Sequence, residues 1–222
     1  MNIWSSPIPL LLVSLATGHL QAGLKPGSYV KSTYIQALKR TRSPRQSLGS
    51  GGILEFVVTV ANGKTELLPI SDFHDSGIRY ILQQNSVAVR SDHHYPEENF
   101  QVAPQSDGSF LVGTPGAFNG RFEFVGSTED LLRSQTVAGE YLDSLGRKWV
   151  FCPDGKASTP GRQFSYRVAC DLLGTGFDYL FGPNIEWAFE SHGNALNLFK
   201  CTGEGPDSHE AKPFVTLKRV AQ

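Results

Sequence analysis

The sequence predicts an all-β protein, an antiparallel β-barrel with one or two short helical turns. Three observations predict this class: apolar and polar residues alternate along several segments, turn signals separate those segments, and helical periodicity is scarce. Alternation gives each strand one apolar face, because successive side chains of a strand point to opposite sides of the sheet. About a dozen short strands between residues 27 and 220 favour a closed barrel, since closure removes exposed sheet edges.

The first element along the chain is an apolar leader. The first 23 residues carry no charged side chain, and the apolar core from Ile8 to Leu15 is too short to span a bilayer. Small residues follow it, and cleavage after Gly18 or after Ala22 would fit. This pattern predicts a secretory signal peptide over residues 1–22. The mature chain is then expected to be extracytoplasmic, either periplasmic or secreted, with no membrane span.

Alternation is clearest in three segments, ILEFVVTV at 53–60, QFSYRVAC at 163–170 and NIEWAFE at 184–190. Asn62-Gly63 and Asp154-Gly155 are turn signals between strand-like runs, because Gly and Asn accept positive φ there. These segments predict strands with one buried face, joined by tight turns.

Helical signals are confined to two short segments. In STEDLLRSQ, residues 127–135, Ser127 is a candidate N-cap and acidic residues occupy the first turn. In YIQALKR, residues 34–40, apolar residues recur at helical spacing, and Pro44 prevents a helix from continuing far. We expect one or two helical turns at these places.

We predict one barrel domain over residues 23–222, because no Pro/Gly/Ser-rich linker divides the chain. A weak internal repeat leaves an alternative open. PGSYVKSTY near 26–34 and AGEYLDSLG near 138–146 each place Gly before Tyr at the start of a strand. Two smaller β lobes, split near 126–137, would account for this repeat.

The charge of the chain argues against nucleic acid as a main partner. The sequence has 20 basic and 21 acidic residues, a formal net charge of −1. The run KRTRSPR at 39–45 is locally basic. We interpret it as a solvated loop in preference to an anion-binding patch.

All three cysteines, Cys152, Cys170 and Cys201, lie in the last third of the chain. An exported chain meets an oxidising compartment, which predicts one disulfide. A hairpin of 147–152 with 163–170 would separate Cys152 from Cys170 by roughly 20 Å, beyond the roughly 7 Å that a disulfide spans between Cα atoms. If 177–181 is a loop, Cys170 pairs with Cys201, which we favour; if it is a strand, Cys152–Cys201 is the candidate.

The second half of the chain resembles secreted lipocalin-like, or calycin-type, β-barrel proteins. The similarity rests on GEYLDSLGRKWVFCPDGKA, with its Gly-x-Tyr strand and Trp149-x-Phe151 leading into a turn, and on the late segments SHGNALNLFK and PFVTLKRV. It covers roughly residues 136–220. Tyr29 or Tyr141 stands where lipocalins carry the Trp of a Gly-x-Trp motif. The resemblance implies a barrel that holds a small apolar ligand.

A second, partial resemblance involves the segment NGKTELLPISDFHDSGIRY at 62–80. It is similar to the segment of periplasmic C-type lysozyme inhibitors in which a Ser-Gly-x-x-Tyr loop enters the lysozyme cleft. The resemblance implies a partner-binding loop at 72–80 formed by Ser76, Gly77 and Tyr80.

Aromatic residues on the presumed inward faces are the candidate ligand-binding residues. Core packing and an open apolar cavity are both compatible with them, because a small barrel is filled by side chains whereas a larger one encloses a cavity. The candidates are Phe56, Phe124, Trp149, Phe151, Tyr166 and Trp187.

The segment RSDHHYPEEN at 90–99 is the densest cluster of reactive side chains. Adjacent histidines in a strand point to opposite faces, so we interpret the segment as a polar loop, with His74, Asp92 and His94 as weak metal candidates. His74 between two Asp residues could serve as a general base. The chain has no Gly-x-Ser-x-Gly, His-Glu-x-x-His or Cys-x-x-Cys motif, which disfavours an enzyme.

These observations predict an exported, non-enzymatic barrel protein without a cofactor, binding an apolar or amphipathic small molecule in its interior. A secreted protein-interaction module, such as an enzyme inhibitor acting through the 72–80 loop, is the alternative.

Overall fold

The computed structural model describes residues 23–49, 53–71, 74–75, 78–83, 86–90, 99–113, 118–170, 177–202 and 209–221. These residues form eighteen strands and three short helices. The first nine strands are β1 Gly27–Lys31, β2 Ile53–Ala61, β3 Lys64–Ser71, β4 His74–Asp75, β5 Tyr80–Leu82, β6 Val87–Arg90, β7 Phe100–Pro104, β8 Phe110–Val112 and β9 Gly120–Gly126. The other nine are β10 Gly139–Leu142, β11 Lys148–Phe151, β12 Lys156–Thr159, β13 Arg162–Ser165, β14 Arg167–Cys170, β15 Asp178–Gly182, β16 Ile185–His192, β17 Ala195–Lys200 and β18 Val215–Arg219. The helices are α1 Ser32–Thr41, α2 Pro44–Ser47 and α3 Thr128–Gln135.

The predicted fold class, an antiparallel β-barrel with short helices, is confirmed. The strands form two nine-stranded sheets, one from β1–β9 and one from β10–β18, where the sequence suggested about a dozen strands in one barrel. The division falls between Gly126 and Gly139, within the region where the two-lobe alternative placed its split. Whether the chain folds as one domain or as two stays a prediction.

The first sheet is a closed barrel. Its strands follow the order β2-β1-β9-β8-β7-β6-β5-β3, and β2 also pairs with β3, which completes the ring. The long β2–β3 hairpin turns at Asn62 and Gly63, both with positive φ, as the turn signal predicted. Short β4 pairs only with the end of β3.

The second sheet is a nearly closed barrel. The only residue between β13 and β14 is Tyr166; β13 pairs with β12, and β14 pairs with β15. The two strands therefore act as one bent strand that passes from one neighbour to the other. Gly182 lies against the carbonyl oxygen of Ser165, so closely that a Cβ atom at Gly182 would collide with it. We call this contact the barrel junction.

The first strands of the two barrels begin in the same way, which explains the weak repeat in the sequence. Tyr29 of β1 lies opposite Phe56 and Phe124 on its neighbouring strands, and Tyr141 of β10 lies opposite Trp149 and Arg219. Each tyrosine is 1% exposed. The glycine two residues earlier has positive φ in each case, and the side chain from the last strand lies where a Cβ would stand. Gly-x-Tyr thus lets the last strand close over the first.

The helices follow the predicted signals with two differences. The side chain of Ser127 accepts a hydrogen bond from the backbone N–H of Asp130 and caps α3, as predicted. The first helix, α1, begins two residues earlier than the periodic segment and ends at Thr41. Pro44 occupies the first position of α2. Proline is tolerated there because a backbone N–H at this position would have no partner within the helix. None of the described helices is long and apolar enough to cross a membrane.

The helix α1 follows the first strand of the first barrel, yet it packs into the core of the second. Tyr34, Ile35 and Leu38 are at most 4% exposed and belong to one apolar cluster with Tyr141, Phe151 and other core residues of the second barrel. The first barrel has its own core, which contains Phe56, Phe100, Phe110 and Phe122. Helix α1 therefore ties the two sheets together through buried apolar surface.

Two ends of the second barrel can be distinguished from its strand directions. At the upper end β10 joins β11, β12 joins β13, β15 joins β16 and β17 joins β18. The lower end carries the other connections, and α1 and α2 lie against it. Arg42 donates hydrogen bonds to the carbonyl oxygens of Thr136 (2.6 Å) and Gly193 (3.5 Å) at this end. The basic run at 39–45 is therefore partly attached to the lower end of the second barrel, whereas the sequence suggested only a solvated loop.

A buried carboxylate of the second barrel also binds this segment. Asp178, which begins β15, is 3% exposed. It accepts hydrogen bonds from the hydroxyl of Ser43 at 2.5 Å and from the backbone N–H of Arg45 at 2.8 Å. Burial raises the pKa of Asp178 to about 6, although the two hydrogen bonds act in the opposite direction.

The predicted Cys170–Cys201 disulfide is not formed, because Cys201 is a free thiol, as is Cys152. The prediction assumed a loop at 177–181, but Asp178–Gly182 is strand β15. Two strands, β15 and β16, therefore lie between β14, which ends at Cys170, and β17, which precedes Cys201. Neighbouring strands are about 4.8 Å apart, so the two Cα atoms are much farther apart than the roughly 7 Å that a disulfide spans.

Candidate ligand-binding site

The six aromatic residues predicted to bind a ligand are divided between the two barrels. Phe56 and Phe124 belong to the first sheet, whereas Trp149, Phe151, Tyr166 and Trp187 belong to the second. A single interior site formed by all six is therefore excluded by the strand topology. The two groups differ in what their rings contact.

In the first barrel, Phe56 is a core residue. It is fully buried, and its ring centroid lies 4.8 Å from that of Phe122 and 5.6 Å from that of Phe110. Phe100 and Phe118 lie within 6.2 Å of it. These edge-to-face and stacked contacts are typical of dense aromatic packing.

The expectation that Phe124 is buried in the barrel interior is not met, because its side chain is 40% exposed, whereas Phe122 is fully buried. Phe124 lies directly opposite Tyr29 in the β1–β9 pairing, near the end of β9 and the start of β1, and the register shift falls beyond it. The ring of Phe124 packs on Tyr29, with centroids 5.2 Å apart, and over the space left by Gly27.

In the second barrel, Phe151 and Tyr166 lie toward the lower end and act as core residues. Their ring centroids are 5.5 Å apart, and Tyr141 is 6.0 Å from Phe151. The hydroxyl of Tyr166 donates a hydrogen bond of 2.8 Å to the carbonyl oxygen of Cys152. Burial raises the pKa of the Tyr166 phenol, which therefore stays neutral.

Trp149 and Trp187 lie toward the upper end, where they meet two further rings. We call Trp149, Phe164, Trp187 and Phe214 the upper aromatic cluster. Trp187 is its centre, with ring centroids 5.2 Å from Phe214, 5.6 Å from Phe164 and 6.4 Å from Trp149. Both tryptophans are 8% exposed, and Phe164 and Phe214 are half-buried. The cluster thus forms an aromatic floor that is accessible from the upper end.

Four strands position this cluster by placing each ring next to an upper turn. Trp149 is the second residue of β11, Phe164 the third of β13 and Trp187 the third of β16, while Phe214 directly precedes β18. Because these turns all lie at one end, the rings converge although they are distant in sequence.

Two exposed cations cover the rim of the floor. The guanidinium carbon of Arg162 lies 5.1 Å from the ring centroid of Phe164 and 5.2 Å from that of Trp187. The ammonium group of Lys200 lies 5.9 Å from the ring centroid of Phe214. Within about 6 Å of a ring face, a cation is attracted by the ring quadrupole. The site therefore combines an apolar floor with positive charge at its edge.

The β10–β11 turn at the upper end is held by one buried carboxylate. Asp143 accepts hydrogen bonds from the backbone N–H groups of Leu145 and Arg147, from the Arg147 guanidinium at 2.8 Å and from the Trp149 indole at 3.3 Å. Burial alone would raise the pKa of Asp143, but these hydrogen bonds lower it to about 2. The turn thereby fixes the orientation of the Trp149 indole.

A groove on the barrel wall adjoins the floor. It has a volume of about 440 Å³ and runs along β11, β12 and β13, with Val150, Ala157 and Phe164 among its lining residues. Phe164 belongs both to this groove and to the upper aromatic cluster. Lys156, Ser158, Gln163 and Ser165 also line the groove, which gives a ligand on the floor additional space of mixed polarity.

The residues predicted to bind a protein partner do not form an exposed loop in the described part of the chain. Tyr80 is 1% exposed, and its ring packs on Phe100 and Phe118 with centroids 4.8 and 5.8 Å apart. A side chain in this position is part of the first core, so the expectation that Tyr80 enters a partner is not supported. Ser76 and Gly77 lie outside the described residues.

The weak metal candidates are not brought together among the described residues. Asp92 and His94 lie outside them, and of His74 only the backbone, in β4, is described. The described residues contain no group of three or more His, Cys, Asp or Glu side chains that could hold a metal ion.

Comparison with known proteins assigns no relative. No family model, no curated protein and no solved structure matches the chain. The site is therefore interpreted from its own geometry.

Sequence reasoning missed Phe214, Arg162 and Lys200 and placed Phe164 only among the inward-facing aromatics. Arg162 follows Pro160-Gly161, a turn signal, so its position at a barrel end could have been found from the sequence. Phe214 lies outside any alternating run, and only the return of the chain into β18 places it beside Trp187.

Proposed function

We propose that this chain is an exported, non-enzymatic β-barrel protein that binds an apolar or amphipathic small molecule at the upper end of its second barrel. The proposal includes membership of the secreted lipocalin-like proteins, for which the antiparallel barrels and the Gly-x-Tyr openings are the structural support. Export rests on the leader at 1–22, which lies outside the described residues.

The upper aromatic cluster is the observation that carries the proposal. Ligand sites are concave and mostly apolar, with a few placed polar groups. Trp187 and the three rings whose centroids lie 5.2–6.4 Å from its own supply an apolar surface, and Arg162 and Lys200 supply polar groups. Helices α1 and α2 lie at the lower end, so the site faces away from them.

The core of the first barrel gives less support for ligand binding. Phe56, Tyr80, Phe100 and Phe110 contact one another or their neighbours at centroid distances of 4.8–5.8 Å. These four rings are at most 2% exposed, whereas Phe164 and Phe214 of the upper aromatic cluster are half-buried. We therefore assign to Phe56 a role in packing.

Intrinsic fluorescence tests the proposal directly. The chain has three tryptophans, and two of them, Trp149 and Trp187, belong to the cluster. Titration with the neutral apolar dye 1-aminoanthracene is expected to quench tryptophan emission and to enhance dye emission with the same saturable dependence. Absence of saturable binding would refute the proposed function.

Substitutions locate the binding. Phe164→Ala and Phe214→Ala each remove one ring contact of the floor, which is expected to weaken dye binding about 2- to 10-fold. Phe124→Ala is the matched control, because this ring is also partly exposed but lies in the first barrel. Equal affinities of all three variants and the unsubstituted protein would place the dye elsewhere.

A further inference from the structure

We infer that the upper end of the second barrel selects amphipathic molecules with an anionic head group, and that Arg162 is the residue that recognises this group. The inference rests on the proposed function, because it names the chemistry of the ligand bound at the same site. It also assigns a role to an arginine that follows a turn and has no function in packing the core.

Arg162 lies over two rings rather than being buried. Its guanidinium carbon is 5.1 Å from the ring centroid of Phe164 and 5.2 Å from that of Trp187, and its side chain is exposed. A guanidinium presents its N–H donors as a planar fork that matches the two oxygens of a carboxylate or phosphate. Contact with two rings restricts the position of this fork before any ligand binds.

The surroundings of Arg162 leave its charge available. Among the described residues, Arg133 is paired with Glu129 and Asp130, and Arg147 with Asp143. No described carboxylate forms an ion pair with Arg162, whose guanidinium contacts the two rings. A cation that is held by contacts with two rings and is not neutralised is suited to bind an external anion.

Lys200 adds a second positive charge at the same cluster. It is the Cα partner of Trp187 in the β16–β17 pairing, and its ammonium group is over Phe214, a ring that contacts Trp187. An anionic group above the cluster would be attracted by both cations.

The nearest buried acid at this end does not cancel this attraction. Asp143 is engaged by the Arg147 guanidinium, by the Trp149 indole and by two backbone N–H groups. Its charge is compensated within the turn, and Arg162 is not one of its partners. The described charges over the rings of the floor are those of Arg162 and Lys200, both positive, so the preferred head group is anionic.

The test compares three ligands with the same alkyl chain: dodecanoate, dodecyl phosphate and dodecanol, each kept below its aggregation concentration. Binding is measured by tryptophan quenching on the full chain. A charge-assisted hydrogen bond predicts that one or both anions bind about 10- to 100-fold more tightly than dodecanol. The preference is expected to shrink at about 0.5 M salt, because an exposed charge is screened.

Arg162→Gln is expected to reduce the preference for anions over dodecanol to less than about threefold, while dodecanol affinity changes little. Arg162→Lys keeps the charge but not the fork, and should retain an intermediate preference. Arg79→Gln is the control, since Arg79 is an exposed arginine of the first barrel. It should leave the preference unchanged.

The outcomes separate the two proposals. If dodecanol binds as tightly as both anions, the anionic inference is overturned and the proposed function stands. If none of the three ligands binds, both are overturned. If anions are preferred equally by the unsubstituted protein and by Arg162→Gln, Arg162 is not the residue that reads the head group. A preference for one of the two anions identifies its head group and supports the inference.

Discussion

The buried carboxylate of Asp178 predicts an unusual dependence of stability on pH. Its pKa is raised from 3.8 to about 6 in the folded protein, because burial disfavours the charged form. The folded state therefore binds this proton more tightly than the unfolded state does. The stability that Asp178 contributes is fully present below about pH 4 and is lost as pH rises through about 6.

The size of this effect follows from the two pKa values. A change from 3.8 to about 6 corresponds to about 3 kcal/mol of folding free energy. Asp178→Asn removes the charge and keeps the shape. Its amide oxygen can accept from the Arg45 N–H and its amide N–H can donate to the Ser43 hydroxyl, so both hydrogen bonds have a replacement. We expect the variant to be more stable than the unsubstituted protein at pH 7 by up to about 3 kcal/mol, and similar to it at pH 4.

Urea unfolding at several pH values measures this difference. The quantity to plot is the free energy of unfolding of Asp178→Asn minus that of the unsubstituted protein, which cancels the titration of all other groups. Glu186→Gln is the matched control, because Glu186 is an exposed acid on the neighbouring strand β16, and its difference should stay near zero. A difference for Asp178→Asn that is constant between pH 4 and pH 7 would refute the reasoning, as would a carboxyl carbon of Asp178 that titrates near 4 in a ¹³C NMR experiment.

Three further predictions test the barrels. Phe56→Ala is expected to lower the free energy of unfolding by about 3–5 kcal/mol, because it empties a fully buried site, whereas Phe124→Ala should cost less than about 1; equal losses in urea unfolding would contradict the assigned packing. Gly182→Ala should force the strands apart at the barrel junction and lower the melting temperature, because the new Cβ collides with the Ser165 carbonyl oxygen. An unchanged melting temperature in calorimetry would show that this contact does not contribute to stability. Asp143→Asn should remove the loss of stability that the unsubstituted protein shows as pH falls from about 4 to about 2, since the pKa of Asp143 is lowered to about 2; parallel acid unfolding curves would exclude this role.

Local sequence signals were sufficient for the class of fold and for individual elements. Alternation over 53–60 predicted β2, although Val60, two residues after the buried Val58, is 53% exposed near the end of the strand. The Ser127 cap predicted the start of α3. Such signals depend on neighbouring residues, which is why a single sequence contains them.

The features that sequence reasoning missed depend on residues distant along the chain. The choice between one barrel and two sheets is made by pairings such as Tyr141 with Arg219, which no local pattern encodes. The disulfide prediction was wrong because it required knowing whether 177–181 is a strand. Phe124 is 40% exposed because it lies near the end of β9, opposite the start of β1, and no local pattern shows where a strand leaves the core. The candidate site was found in part: the tryptophans were predicted, and the cations above them were not.

The packing of α1 has a consequence for the order in which the chain is made. Residues 32–41 leave the ribosome early, but the apolar side chains of Tyr34, Ile35 and Leu38 are buried against strands that end only at Arg219. During synthesis, the first barrel can close its ring while α1 still displays an uncovered apolar face. A nascent chain released before the last strand would carry that face into solution, so this helix marks the segment on which a chaperone would act.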